Sequence, residues 1–173
     1  MKIENKDFDA EKYPEIECYA FASNIVSADM TAQIKKSDKL ALIYGDGAAT
    51  VCKKVSADGV IVDLSASEHI KKDFTAVQKE AGADKLFGIV CRSRRHEAMI
   101  ASECEPNFVI FKVWEELSDK QRELFDWYQE FFLLQSAAEM CGEKPCQEKI
   151  NTDILLVDEE KYKILVAMKK ILE

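Results

Sequence analysis

The chain has 173 residues, enough for one domain with a substantial core and too few for two. Hydrophobic residues make up 47% and charged residues 32%, the balance of a globular protein rather than a disordered one. Lys and Arg number 24 against 32 Asp and Glu, a net charge of -8 that excludes a nucleic-acid partner held by phosphate neutralisation.

Residues 1–15 read as an irregular N-terminal segment. Met1-Lys2-Ile3-Glu4-Asn5-Lys6-Asp7 is too charged for a signal peptide, and no apolar run approaches a membrane span. The expectation is a cytoplasmic protein without a membrane partner. Seven runs then carry strand character: Glu17 to Ala22, Leu40 to Tyr44, Val60 to Leu64, Leu86 to Cys91, Phe108 to Val113, Phe131 to Gln135 and Asp153 to Val157. Their first residues lie 23, 20, 26, 22, 23 and 22 positions apart. Helical segments fill the intervals. One follows Ser67 through about Glu80, one follows Ser93 to near Cys104, and Ser118 caps one through about Glu130. The last, Glu159 to Leu172, sets Tyr162, Leu165, Val166 and Lys169 on successive turns.

A strand followed by a helix at a steady period is the pattern of parallel βαβ units. The near-continuous apolar strands suit a parallel sheet covered on its outside. Residues 16–173 are therefore expected to form one α/β domain, a shortened TIM-type (β/α) barrel of about seven units. An open doubly wound parallel sheet is the alternative. The six cysteines, Cys18, Cys52, Cys91, Cys104, Cys141 and Cys146, form no C-x-x-C pair and read as reduced structural thiols.

Three stretches in register resemble the thiamine phosphate synthase family and its thiazole tautomerase relatives. Leu42-Ile43-Tyr44-Gly45-Asp46 with Ser56-Ala57-Asp58-Gly59-Val60-Ile61-Val62 is similar to the family's L-L-I-N-D strand end and G-A-D-G-V-H-L segment. Phe87-Gly88-Ile89-Val90-Cys91, Arg95-His96-Glu97-Ala98-Met99 and Asn107-Phe108-Val109 resemble the form I-G-x-x-C…S-R-H-D-A-M…A-D-Y-V. Trp127-Tyr128 and Ile150-Asn151-Thr152-Asp153-Ile154-Leu155-Leu156-Val157 complete the likeness, which spans about residues 40–173.

The resemblance implies an eight-unit barrel that joins a pyrimidine pyrophosphate to a thiazole phosphate with magnesium. It also implies where the chain departs. Asp46 stands within one residue of the first magnesium carboxylate. The second position falls near Ala66, with Asp63 and Glu68 as neighbours. The family's Q-x-R-x-K strand has no counterpart before Leu40, and the lysine loop after the sixth barrel strand is replaced by Trp114-Glu115-Glu116, with Lys112 inside the strand. Ser136-Ala137, after the strand ending at Gln135, stands for the Gly-Gly at the thiazole phosphate. Asp158-Glu159-Glu160 puts carboxylates where a helix N-terminus would hold phosphate.

The candidate site residues follow. Arg92, Ser93, Arg94 and His96 sit where a strand gives way to a helix, the ligand face of a parallel α/β fold, and arginine forks suit phosphate or carboxylate. Lys112, Gln135 and Ser136 are further ligand candidates. Cys91 is the candidate nucleophile, its thiolate favoured by neighbouring arginines. Asp46 and Asp63 are the candidate magnesium ligands, although Asp46-Gly47 also reads as a helix cap in a turn. The expected function is that of a thiamine phosphate synthase-like protein with weak or lost catalysis, with magnesium required if it is active. Its expected partner is a small phosphorylated heterocycle or another small anion. The alternative is a non-catalytic anion-binding or protein-interaction barrel, with self-association left open.

Overall fold

The computed structural model describes residues 1–5 and 8–172, with side chains to residue 168. Eight strands form one all-parallel sheet in sequence order: β1 Lys2–Ile3, β2 Cys18–Ala22, β3 Leu40–Tyr44, β4 Gly59–Asp63, β5 Leu86–Val90, β6 Phe108–Val113, β7 Gln135–Met140 and β8 Ile154–Leu156. Among the described residues six α-helices accompany them: α1 Ala28–Lys36, α2 Ala48–Lys54, α3 Ile70–Ala81, α4 Arg95–Ser102, α5 Asp119–Phe131 and α6 Glu159–Leu172. The sheet is nearly closed into a barrel. Lys2 pairs with Ala20 on β2 and bridges to Asp158 beyond β8, and Lys2 N donates to Val157 O at 2.7 Å.

The expected (β/α) barrel is therefore the architecture, with two differences. The eighth strand comes from the segment read as irregular. Two residues are too short to show a period, and only Ile3, 2% exposed, marks the strand by its burial. The sixth expected strand, Phe131 to Gln135, is wrong in register. Ser118 starts α5 with a full capping box, in which Gln121 answers it, and the helix runs on through Phe131. Phe131 and Leu133 are exposed at the turn, and the strand is the less apolar Gln135–Met140. Residues 141–153 join β7 to β8 without a helix. Lys169, expected on successive turns of the last helix with Tyr162, Leu165 and Val166, lies outside the residues whose side chains are described.

Strand alternation divides the apolar residues into two layers. Between sheet and helices lie Tyr19, Phe21, Ile43, Val60, Phe87, Ile89, Val109 and Phe111, with Phe74, Phe125 and Tyr128 supplied by the helices. Rings meet edge to face here, as in Phe111 with Phe125 and Phe74 with Phe87. The barrel interior holds Ala20, Leu42, Ile61, Val90, Phe108, Ile110, Ala137 and Leu156. It is narrow, and one ring fills much of its lower part. A Cβ on Gly88 would lie 2.4 Å from the ring of its register partner Phe108, so glycine is what makes room for that ring.

A repeated device sets the register at the lower, N-terminal end of the barrel. Asp58 Oδ2 accepts from Ala41 N at 2.9 Å, Asn107 Oδ1 from Phe87 N at 2.7 Å, and Asp153 Oδ2 from Ser136 N at 2.8 Å. Each acceptor stands just before an even-numbered strand and ties it to the preceding one. Asp58 N and Asn107 N return the bond to Ala41 O and Phe87 O, closing reciprocal clamps. No helix among the described residues is long and apolar enough to cross a membrane.

Candidate functional site at the barrel mouth

Inward positions at the upper, C-terminal ends of the strands carry polar or charged groups instead of apolar bulk. Going around the wall, they are Tyr44 on β3, Asp63 on β4, Lys112 on β6, Glu139 on β7 and Lys2 on β1. They line a cavity of about 430 Å³ with Ile61, Val90 and Leu156, and the cavity continues under the Gly45-Asp46-Gly47 turn. This is the end at which parallel barrels bind their ligands.

The charges are matched within the wall. Lys112 Nζ donates to Asp63 Oδ2 at 2.6 Å, and Lys2 Nζ to Glu139 Oε1 at 2.8 Å. Lys2 Nζ also stands 4.5 Å from the centroid of the Tyr44 ring, whose hydroxyl donates to Glu4 Oε1 at 3.2 Å. In an adjoining cavity of about 470 Å³, Lys161 pairs with Asp158, and Asp158 Oδ1 accepts from Lys161 N at 2.8 Å. Lys112 and Glu139 are register partners on β6 and β7, so Asp63, Lys112, Glu139 and Lys2 form a ladder of alternating sign.

Protonation follows from these contacts. Burial alone would raise the Asp63 pKa, but hydrogen bonds from Lys112 and Ser65 outweigh it and hold the carboxyl below its ordinary value. The bond from the Lys112 ammonium to Asp63 raises the lysine in turn. Burial would raise Asp158 as well, and the contacts with Lys161 hold it down. Burial pushes the Tyr44 phenol up. Asp63 and Lys112 are thus held as a formed ion pair, and Asp158 is held as a carboxylate.

Of the expected site residues, Lys112 and Asp63 meet at the mouth, and Asp46 lines the same cavity from the turn above α2. Asp46 is not the helix cap. Gly47 occupies that position in a left-handed conformation without a side-chain bond, and Ser23 Oγ donates to the Asp46 carbonyl at 2.7 Å. The aspartate pair does not fit a magnesium site. Asp63 Oδ1 accepts from Ser65 N at 2.9 Å and Ser65 Oγ at 2.6 Å, while Oδ2 holds Lys112, so both oxygens are engaged. No group of three or more His, Cys, Asp or Glu among the described residues could hold a metal ion.

Cys91 is 2% exposed, part of the sheet–helix layer, and burial pushes its thiol up to about 12. Outward orientation and a neutral thiol both oppose the nucleophile's role. Gln135 and Ser136 stand at the start of β7, at the opposite end of the barrel from the mouth. Ser136 Oγ accepts from Gln129 Nε2 at 2.8 Å and lies 2.9 Å from Thr152 Oγ1, a packing role that corrects the expected ligand contact. The loop after β7 is Cys141-Gly142, five residues later than the expected one.

The arginine loop lies on the outer rim. Arg92 and His96 line a shallow depression of about 750 Å³ between α3 and α4, together with His69, Lys71 and Lys72. Arg92 Nε donates to Ser65 O at 2.6 Å. Arg94 and Ser93 do not line the depression; Arg94 is exposed and 3.9 Å from Glu97, and Arg95 covers the Trp127 ring at 5.2 Å.

Sequence reasoning missed Lys2 and Glu139. Glu139 was hidden by the register error on β7, although a lone charge between Ala138 and Met140 is the alternation of a strand with one charged inner end. Lys2 carried no periodic signal. Compared with known proteins, the chain matches no family model and no curated protein.

Proposed function

We propose that the chain is a thiamine phosphate synthase-like barrel protein in which the joining of pyrimidine pyrophosphate to thiazole phosphate is weak or lost, leaving the mouth as a small-molecule site. One observation carries this reading: Lys2, Lys112 and Lys161 are paired with Glu139, Asp63 and Asp158 of the same rim. Polyphosphate chemistry needs cations free to meet charge that develops on phosphate oxygens. Here a phosphate would have to displace three internal partners in a protein of net charge -8. Asp158 also binds the first-turn amide of α6, where a phosphate would otherwise sit.

The resemblance itself supports retention of fold over retention of chemistry. The matched segments containing Asp58, Gly88, Asn107 and Asp153 supply the strand clamps and the space for Phe108. The family's phosphate and magnesium positions are the ones that differ. The test is an assay for thiamine phosphate from the two phosphorylated precursors with magnesium; the proposal requires little or no turnover, and ordinary enzyme rates would end it.

A second reading, small-anion binding on the outer rim, is favoured by one cluster: Arg92 and His96 share a depression with His69, Lys71 and Lys72. Calorimetric titration with inorganic phosphate distinguishes it. Arg92→Ala should weaken binding by about 1–3 kcal/mol, the loss of charge-assisted hydrogen bonds, and Arg94→Ala should not. Equal effects, or no binding by the parent protein, would remove this reading.

A further inference from the structure

We propose that the barrel mouth binds a small α-amino acid with an apolar side chain. The inference rests on the reading of the mouth as a binding site and names its ligand class. The floor is apolar, formed by Ile61, Val90 and Leu156. Above it, charges alternate around the wall as Asp63, Lys112, Glu139 and Lys2, with contacts of 2.6 Å between the first two and 2.8 Å between the last two.

The alternation decides what can enter. An anion reaching Lys112 and Lys2 would compete with Asp63 and Glu139 and leave those carboxylates without cations; Glu139 is 7% exposed, so its orphaning is the costlier. A simple cation at Asp63 and Glu139 would strand the lysines in the same way. A molecule with an ammonium and a carboxylate on one carbon exchanges partners without orphaning any. Its carboxylate meets Lys112 and Lys2, and its ammonium meets the carboxylates they release. The side chain then points down to the apolar floor. The cavity of about 430 Å³ is shared with a branch toward Val60, Val62, Val77 and Glu80 on the outer side of β4, and its part over Ile61, Val90 and Leu156 receives the aliphatic side chain.

Calorimetric titration of the full chain tests this with L-leucine, glycine, 4-methylpentanoate, 3-methylbutylamine and inorganic phosphate. Leucine should bind at least about tenfold more tightly than either single-charge analogue, because each analogue leaves one set of the paired wall charges without its counter-charge. It should also exceed glycine by roughly threefold to fourfold for each methylene that reaches the floor. Glu139→Gln and Lys112→Met should each weaken leucine binding by about tenfold while far-ultraviolet circular dichroism stays unchanged. The ligand series on the parent protein stands alone should either variant fail to fold. Binding of the acid, the amine or phosphate as tight as leucine, or no leucine binding, would overturn the proposal. Loss of this inference leaves an inactive barrel with no amino-acid affinity, whereas thiamine phosphate turnover with leucine binding intact would sink the functional reading alone.

Discussion

Replacing Asn107 by alanine removes the acceptor for Phe87 N, a 2.7 Å bond at the lower end of the barrel beside a side chain 3% exposed. The backbone donor then has no partner and little water, a cost of about 1–3 kcal/mol. The returning bond, Asn107 N to Phe87 O at 2.9 Å, survives because it is made by the main chain. We therefore expect a loss of about 2 kcal/mol, or roughly 4–8 °C in Tm for a chain of this size. Asn107→Asp is the control: Asp58 and Asp153 perform the same task with carboxylates, so aspartate should recover most of the loss. Urea unfolding of the three proteins, with equal m-values as the check on two-state behaviour, measures both effects. An alanine variant within 0.5 kcal/mol of the parent, or an aspartate variant as unstable as alanine, would refute the clamp.

Gly88→Ala should destabilise the fold by about 1–3 kcal/mol through overpacking against Phe108, and Phe108→Leu in the same chain should relieve part of it, read as a non-additive double-mutant cycle. Lys2→Met should cost more stability than Glu139→Gln, because it strands a carboxylate 7% exposed; equal losses in urea would contradict the pairing. Asp63 has a depressed folded pKa, so its contribution is present above the ordinary carboxylate pKa and lost as pH falls through the folded value. With its side chain 48% exposed, solvent screening limits that contribution to under about 1 kcal/mol, and Asp63→Asn should flatten the acid limb of stability against pH by that amount. Iodoacetamide at neutral pH should label exposed Cys141 before Cys91, whose thiol is raised to about 12; early modification of Cys91 by mass spectrometry would reverse its assignment.

Much of the barrel was legible because its determinants are local. Steady strand spacing, β-branched runs and the Ser118 capping box each act within a few residues, and six of the seven expected strands differ by at most one residue at either end. The failures have physical causes too. Phe131 to Gln135 has strand composition, yet a capped amphipathic helix claims Phe131 and the turn exposes Leu133. Lys2–Ile3 is a strand only because β2 and the Val157-Asp158 segment beyond β8 flank it, which no local pattern encodes. The site suffered most. Asp63 and Lys112 are 49 residues apart and meet only when β4 and β6 curve round the barrel. Glu139 and Lys2 were lost with the strands that carry them. Cys91 was placed at the right strand end, but the alternation of β5 turns it outward, away from Val90 and the interior.

The most direct test of a synthase-like barrel without synthase chemistry is single-turnover formation of thiamine phosphate. Purified protein, in excess over pyrimidine pyrophosphate and supplied with thiazole phosphate and magnesium, should yield no product above the protein-free reaction. Conversion of the precursors at an ordinary enzyme rate, about 1 s⁻¹ or faster, would contradict the account.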